Sequence, residues 1–203
     1  MFNFEDFLQR SGRRLLKEPA ETWNRSDDDL NAKARMIPEG VTPKHAAVLV
    51  PIILHEEPTV LLTQRHAGLS KHAGQIAFPG GHIDAGESPQ HAALREAHEE
   101  VGLDPSLIQI LGYLPSYLTV TAYQVTPVVA LVKPRFSLRL QRDEVDEAFE
   151  VPLSFLLRLE NCERHTREWN GVARHYYVYQ FGHRHIWGAT AGMIRSLHDQ
   201  VYS

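Results

Sequence analysis

Residues 78–103 read FPGGHIDAGESPQHAALREAHEEVGL, and the fold is decided there. A glycine-bearing turn runs into a segment that opens with Ser88 and Pro89 and closes at Gly102. A serine hydroxyl caps free backbone N–H groups, and the N–H that proline lacks would go unbonded in the first turn anyway. Glycine ends a helix because it accepts the left-handed conformation. This punctuation predicts a helix over 89–101, with Ala92, Ala93, Ala97 and Val101 as a small, close-packing inner face. Residues three and four apart share a helix face. Glu96, Glu99 and Glu100 therefore project from one side, with Arg95 beside them. Crowded carboxylates repel one another, and a hard divalent cation with oxygen ligands is the natural partner for them. The plain alternative is a solvated acidic face, which is commoner on charge pattern alone.

Upstream, residues 46–54 are rich in Val and Ile and read as a buried strand. A turn at Glu56, Glu57 and Pro58 leads to a second strand over 59–64, which makes the two a hairpin. Downstream, 107–114 and 124–132 read as strands, and Pro127 inside the latter marks an edge or an irregularity. Residues 137–144 are a charged connection, 148–151 a short strand, 152–159 a short helix and 160–172 a surface loop. A strand over 176–181, a turn at Gly182 and a closing helix over 187–201 complete the chain. At the start, Phe4, Phe7, Leu8, Leu15 and Leu16 make 3–17 an amphipathic helix, either packed on the domain or forming a homodimer contact. Ser26, ahead of Asp27, Asp28 and Asp29, caps a further short helix through Met36. The division is an N-terminal helical extension over 1–36 and a domain over 37–203. The class is α/β, a mixed β-sheet sandwiched between helices (α-β-α).

Composition narrows the function. The chain has 203 residues, 43% apolar and 23% charged, with a formal charge of −4. Without a long basic run it is a poor fit for nucleic acid, where affinity rests on many Lys and Arg at phosphates. The single cysteine, Cys162, excludes an internal disulfide framework and fits a reducing compartment. The twelve histidines show no zinc-like spacing with cysteine. No apolar run is long enough to span a bilayer, and the first residues lack a secretory pattern. A soluble, cytoplasmic protein with no membrane partner is expected.

The spacing in the central stretch is specific. Gly81, then Glu87, then Arg95-Glu96, Glu99-Glu100 and Gly102-Leu103 resemble the Nudix box, a loop-helix-loop signature of enzymes that hydrolyse nucleoside diphosphates linked to another moiety. Every polar and glycine position of that pattern is filled, and Ala97 stands at one aliphatic slot where Leu, Ile or Val is commoner. Just upstream, Leu61-Leu62-Thr63-Gln64-Arg65, Leu69, His72, Gly74 and Phe78-Pro79-Gly80-Gly81 resemble the signature of coenzyme A pyrophosphatases within that superfamily. So do the segments at 123–129 and 187–192. His66 stands where that subfamily has Ser or Ala, and Ser70 where it has Arg.

The resemblance implies a Nudix fold and a metal-dependent hydrolase, with Mg²⁺ or Mn²⁺ as cofactor. Its substrate is a small-molecule nucleotide, coenzyme A or a derivative, cleaved to 3',5'-ADP and 4'-phosphopantetheine or its acylated form. It makes Glu96 and Glu100 the primary metal ligands. Glu99 is a third ligand or the base that orients water. Glu87 and Arg95 pair across the loop-helix junction. Glu144 is a second candidate base, in a loop that also carries Asp143, Asp146 and Glu147. Gly80 and Gly81 let metal and diphosphate approach the backbone. Arg65 and Lys71 are candidate phosphate contacts, with an ion-pair role open to Arg65. Tyr117 and Tyr123 are candidates for stacking on a base, with core packing as the alternative for each. Two other readings stand beside this one: the same chemistry on ADP-ribose, NADH or a dinucleoside polyphosphate, and a catalytically silent nucleotide sensor.

Overall fold

The computed structural model describes residues 2–31, 35–169 and 171–203. In chain order its elements are α1 (Phe4–Arg14), β1 (Trp23–Ser26), β2 (Lys44–Ile53), β3 (Thr59–Arg65), β4 (Ile76–Ala77), β5 (Gly80–His82), α2 (Pro89–Val101), β6 (Ile108–Tyr113) and β7 (Ser116–Leu118). There follow β8 (Tyr123–Val132), β9 (Val145–Pro152), α3 (Leu153–Leu156), β10 (Glu163–Trp169), β11 (Val172–Phe181), β12 (Arg184–Trp187) and α4 (Gly188–Tyr202).

The main sheet is mixed and runs β1-β7-β8-β2-β3-β4, with β5 also on β2, β6 on β8 and β9 on β3. Its centre is a ten-residue parallel pairing of β2 with β8, from Lys44 opposite Tyr123 to Ile53 opposite Val132. Side chains alternate across a strand, so β2 feeds both faces. Ala47, Leu49 and Ile53 pack with Ala92, Ala93, Ala97 and Val101 of α2. Ala46, Val50 and Ile52 pack on the opposite face with Phe7 of α1 and with Met193, Ile194 and Leu197 of α4. Helices thus cover both faces. Phe7 is fully buried, worth about 2 kcal/mol in apolar area removed from water, so α1 packs on the domain. β10, β11 and β12 form a separate antiparallel sheet. Among the described residues no helix is long and apolar enough to cross a membrane.

The hairpin of β2 and β3 is present, and α2 covers the residues its caps dictate. Three expectations are corrected. The segment after Ser26 is a turn rather than a helix through Met36, and residues 32–34 of that stretch lie outside the described residues. The 1–36 extension is not purely helical, because β1 joins the main sheet parallel to β7. The loop expected over 160–172 is largely β10. Its residues are mostly charged or polar on both faces, so no period betrays the strand. Of the two readings of Pro127 the irregularity holds: β8 is interior, and its outer neighbour changes there from β6 to β7.

Candidate active site

The site is built where α2 meets the glycine turn. The Ser88 side chain accepts the His91 N–H at 3.2 Å, and Gly102, at φ +72°, closes the helix. The alanine face lets α2 lie close against the sheet. β5 pairs antiparallel with β2, Gly80 opposite Val48 and Gly81 opposite Ala47. Gly80 tolerates no side chain, and one at Gly81 would displace the Glu96 carboxylate. A Cβ at Gly80 would collide with the Ala47 carbonyl and Val48 Cα, and one at Gly81 would lie 2.5 Å from the Glu96 carboxyl carbon.

Glu100 is 3% exposed. One carboxylate oxygen accepts the Gly80 N–H at 3.1 Å, and Arg65 Nη1 lies 3.8 Å from the other. Burial pushes its pKa up to about 7, only partly offset by Gly80 and Arg65, while Glu96 and Glu144 add to the rise. Glu96 is also raised, first by burial and further by Glu99 and Glu144, against the pull of Arg95.

Arg95 is the local cation. It grips both oxygens of Glu87 at 3.0 Å, Glu96 at 2.9 Å, Glu99 at 3.1 Å and the His82 carbonyl at 3.1 Å. Arg95 in turn holds the Glu87 carboxyl below its usual range. The three glutamates are not equivalent: Glu96 lies against Gly81 and Glu100 against Gly80, whereas Glu99 is exposed and tied to Arg95. Among the described residues no three acidic, His or Cys side chains are already gathered as a metal-holding group. The donors nonetheless suit a hard cation. They are all oxygen, two are raised by burial and by neighbouring carboxylates, and the adjoining backbone carries no side chain.

Two loops frame the helix. The one before β9 is tethered to α2 through the Gln141 N–H on the Glu100 carbonyl, and to the end of β3 through the His66 N–H on the Glu144 carbonyl. Its acids separate. Asp146 pairs with His66 at 2.5 Å and Glu147 with Arg184 at 2.6 Å. Glu144 is exposed, and its charge bears on Glu96 and Glu100. Arg65 faces Glu100. Lys71 stands exposed in the loop between β3 and β4, outside this cluster of ion pairs. Tyr117 is buried, with its hydroxyl on Asp27. Tyr123 is partly buried against the core rather than in the cleft. Neither tyrosine is brought to the site as a stacking surface.

Sequence reasoning missed a cavity beside Arg65, lined by Trp187, Thr119 and Asp27 among others. Asp27 is a half-buried carboxylate, raised by desolvation, which accepts the Tyr117 hydroxyl at 3.0 Å and the Val120 N–H at 2.8 Å. No local spacing signals this cavity, because its walls come from distant parts of the chain.

A model of the NUDIX domain matches residues 43–171. The Nudix hydrolase NudL of Citrobacter koseri, called uncharacterized in its name, is 42% identical over 164 residues, 80% of this chain and 85% of its own length. The Escherichia coli protein of that name is 43% identical with the same coverage. The solved structure of DR0079 from Deinococcus radiodurans superposes with a TM-score of 0.51 at 13% identity, over 82% of this chain and 88% of that one, a likeness of fold.

Proposed function

The chain belongs to the Nudix hydrolase family, and from that premise we propose that it cleaves the diphosphate of coenzyme A or its thioesters, giving 3',5'-ADP and 4'-phosphopantetheine or its acylated form. The observation that carries the reading is a convergence. Arg65, from the stretch resembling coenzyme A pyrophosphatases, lies 3.8 Å from Glu100 of the Nudix-like helix. In this reading catalysis resides in 37–203, with 1–36 as an N-terminal extension.

Nudix hydrolases use divalent metal ions, and here Glu96 and Glu100 would hold Mg²⁺ or Mn²⁺ with help from Glu99. Bound there, the ion supplies charge neutralisation at the phosphate oxygens and a more acidic water. The rest falls to this chain's residues. Gly80 and Gly81 admit the diphosphate to the backbone. Arg65 takes a phosphate oxygen. Glu99 or Glu144 accepts the proton of the attacking water as its oxygen bonds to phosphorus and the bridging P–O bond breaks. Arg95, anchored by Glu87, fixes the orientation of Glu96 and Glu99. Lys71, exposed in the loop between β3 and β4, is left as a contact for a phosphate.

A substrate panel with Mg²⁺ and with Mn²⁺, scored by product mass, tests this. Coenzyme A is expected to turn over at least about tenfold more efficiently than ADP-ribose, about 1.4 kcal/mol in barrier, and a chelator to stop both. Equal or reversed rates would move the assignment to another nucleotide, the alternative that the departures at His66 and Ser70 leave open. Absence of any turnover would leave a nucleotide sensor.

A further inference from the structure

The cavity next to Arg65 has a volume of about 290 Å³ and lies between the β3–β4 loop, residues 119–121 and the start of α4. We propose that it is the pocket for the substrate's purine base, with Trp187 as the stacking surface; this rests on the hydrolase reading above and names the part of the substrate recognised beyond the diphosphate.

The cavity is continuous with the reaction centre. Arg65 lines it and faces Glu100. Val48 also lines it and pairs in register with Gly80. A diphosphate at the glycine turn therefore puts its neighbouring group at the mouth. The volume is at the small end for ligand pockets, so it takes one compact group rather than an extended arm. Its walls are mostly apolar, with Val48, Ile76, Val125 and Met193 contributed from three strands and a helix. Trp187 and Val120 are 38% and 39% exposed, large apolar groups left open to solvent.

The polar groups that line it are held in place. Thr119 Oγ1 lies 2.9 Å from Thr121 Oγ1 and accepts the Tyr123 N–H at 3.1 Å. His72 Nδ1 is 2.8 Å from Gln75 Oε1. Tyr176, which does not line the cavity, packs edge-on against Trp187 with ring centroids 5.8 Å apart. Asp27 presents no unsatisfied carboxylate oxygen, since Tyr117 and Val120 engage one each. A flat, uncharged ring with donors and acceptors on its edge matches this combination. A flexible polyamide arm would need partners along its whole length.

Titration calorimetry with adenosine 5'-monophosphate and with ribose 5-phosphate tests the proposal without requiring turnover. The nucleotide is expected to bind at least about tenfold more tightly. Trp187→Ala should remove about tenfold of that affinity, within the range of base–aromatic stacking, and leave ribose 5-phosphate unaffected. Trp187→Phe should retain most of it. On a cleaved nucleotide, Trp187→Ala should raise KM about tenfold with little change in kcat. Ala189→Leu, which fills the cavity from α4, should abolish the preference for the nucleotide. Equal affinity for the two ligands, or a preference that survives Trp187→Ala or Ala189→Leu, overturns the proposal. A Trp187-dependent preference in a protein that cleaves nothing on the panel would sink the hydrolase reading and leave the base pocket standing. Turnover indifferent to the base does the reverse.

Discussion

Two buried acids in this molecule meet opposite fates. Asp28, 8% exposed, pairs with the equally buried Arg174 at 2.8 Å. It also accepts backbone N–H groups from Met36 and Ile37. Burial pushes its pKa up, but Ile37, Arg174 and Met36 more than reverse this and leave it below the usual carboxylate range. Glu100 is at least as buried, yet has one N–H at 3.1 Å and a guanidinium no closer than 3.8 Å. It remains raised, at about 7. The first acid is finished by the fold, as a structural ion pair must be. The second is left short of positive charge beside an open glycine backbone, which is how a site for an external cation differs from a salt bridge.

The sharpest break in that contrast is Glu100→Gln. It should lower kcat/KM about a thousandfold, comparable to losing a group that stabilises the transition state, while the amide still accepts the Gly80 N–H and the fold survives. Unchanged turnover would end the metal assignment. On the structural side, Arg174→Met strands the Asp28 carboxylate and should cost about 3 kcal/mol in urea unfolding, with KM unaltered. If stability holds and activity falls instead, the two acids have been assigned the wrong way round.

Titration sharpens the same contrast in metal-free protein. Glu100 binds its proton more tightly folded than unfolded, so its contribution is present below the ordinary glutamate range and lost as pH rises to about 7. Asp28 works the other way: its contribution is present above the ordinary aspartate range and lost as pH falls through its lowered pKa. Wild type should therefore lose on the order of 2 kcal/mol relative to Glu100→Gln between about pH 4.5 and 7. Parallel stability curves for the two proteins would contradict the raised pKa. The smallest effect is expected from Arg95→Lys. A single ammonium cannot reproduce the fork on Glu87, and kcat should drop about tenfold with little loss of fold. A drop as large as that of Glu100→Gln would place Arg95 in the chemistry itself.

What the sequence made legible was local. Ser88, Pro89 and Gly102 delimit α2 because capping acts within one turn, and Glu87 and Arg95 meet because they flank that same start. In the sequence Asp27 and Asp28 look like acids at the start of a helix capped by Ser26. Asp28 is buried and Asp27 half-buried because residues almost a hundred or more positions away, Tyr117, Val120 and Arg174, close over them. β10 was illegible for the opposite reason: with charged residues on both faces it has no apolar side to announce a strand. The placement of Glu99 was legible only in part, since helical spacing gives its azimuth but not the guanidinium that draws it outward.

The seam between β2 and β8 carries a last consequence, for the order in which the chain assembles. Its ten rungs join segments about eighty positions apart, and the entropy of closing so long an interval must be met before any rung forms. The catalytic helix and its turn lie inside that interval. They lack an apolar bed until the seam shuts, so competence to react should emerge late in refolding, together with the centre of the sheet rather than with the helix.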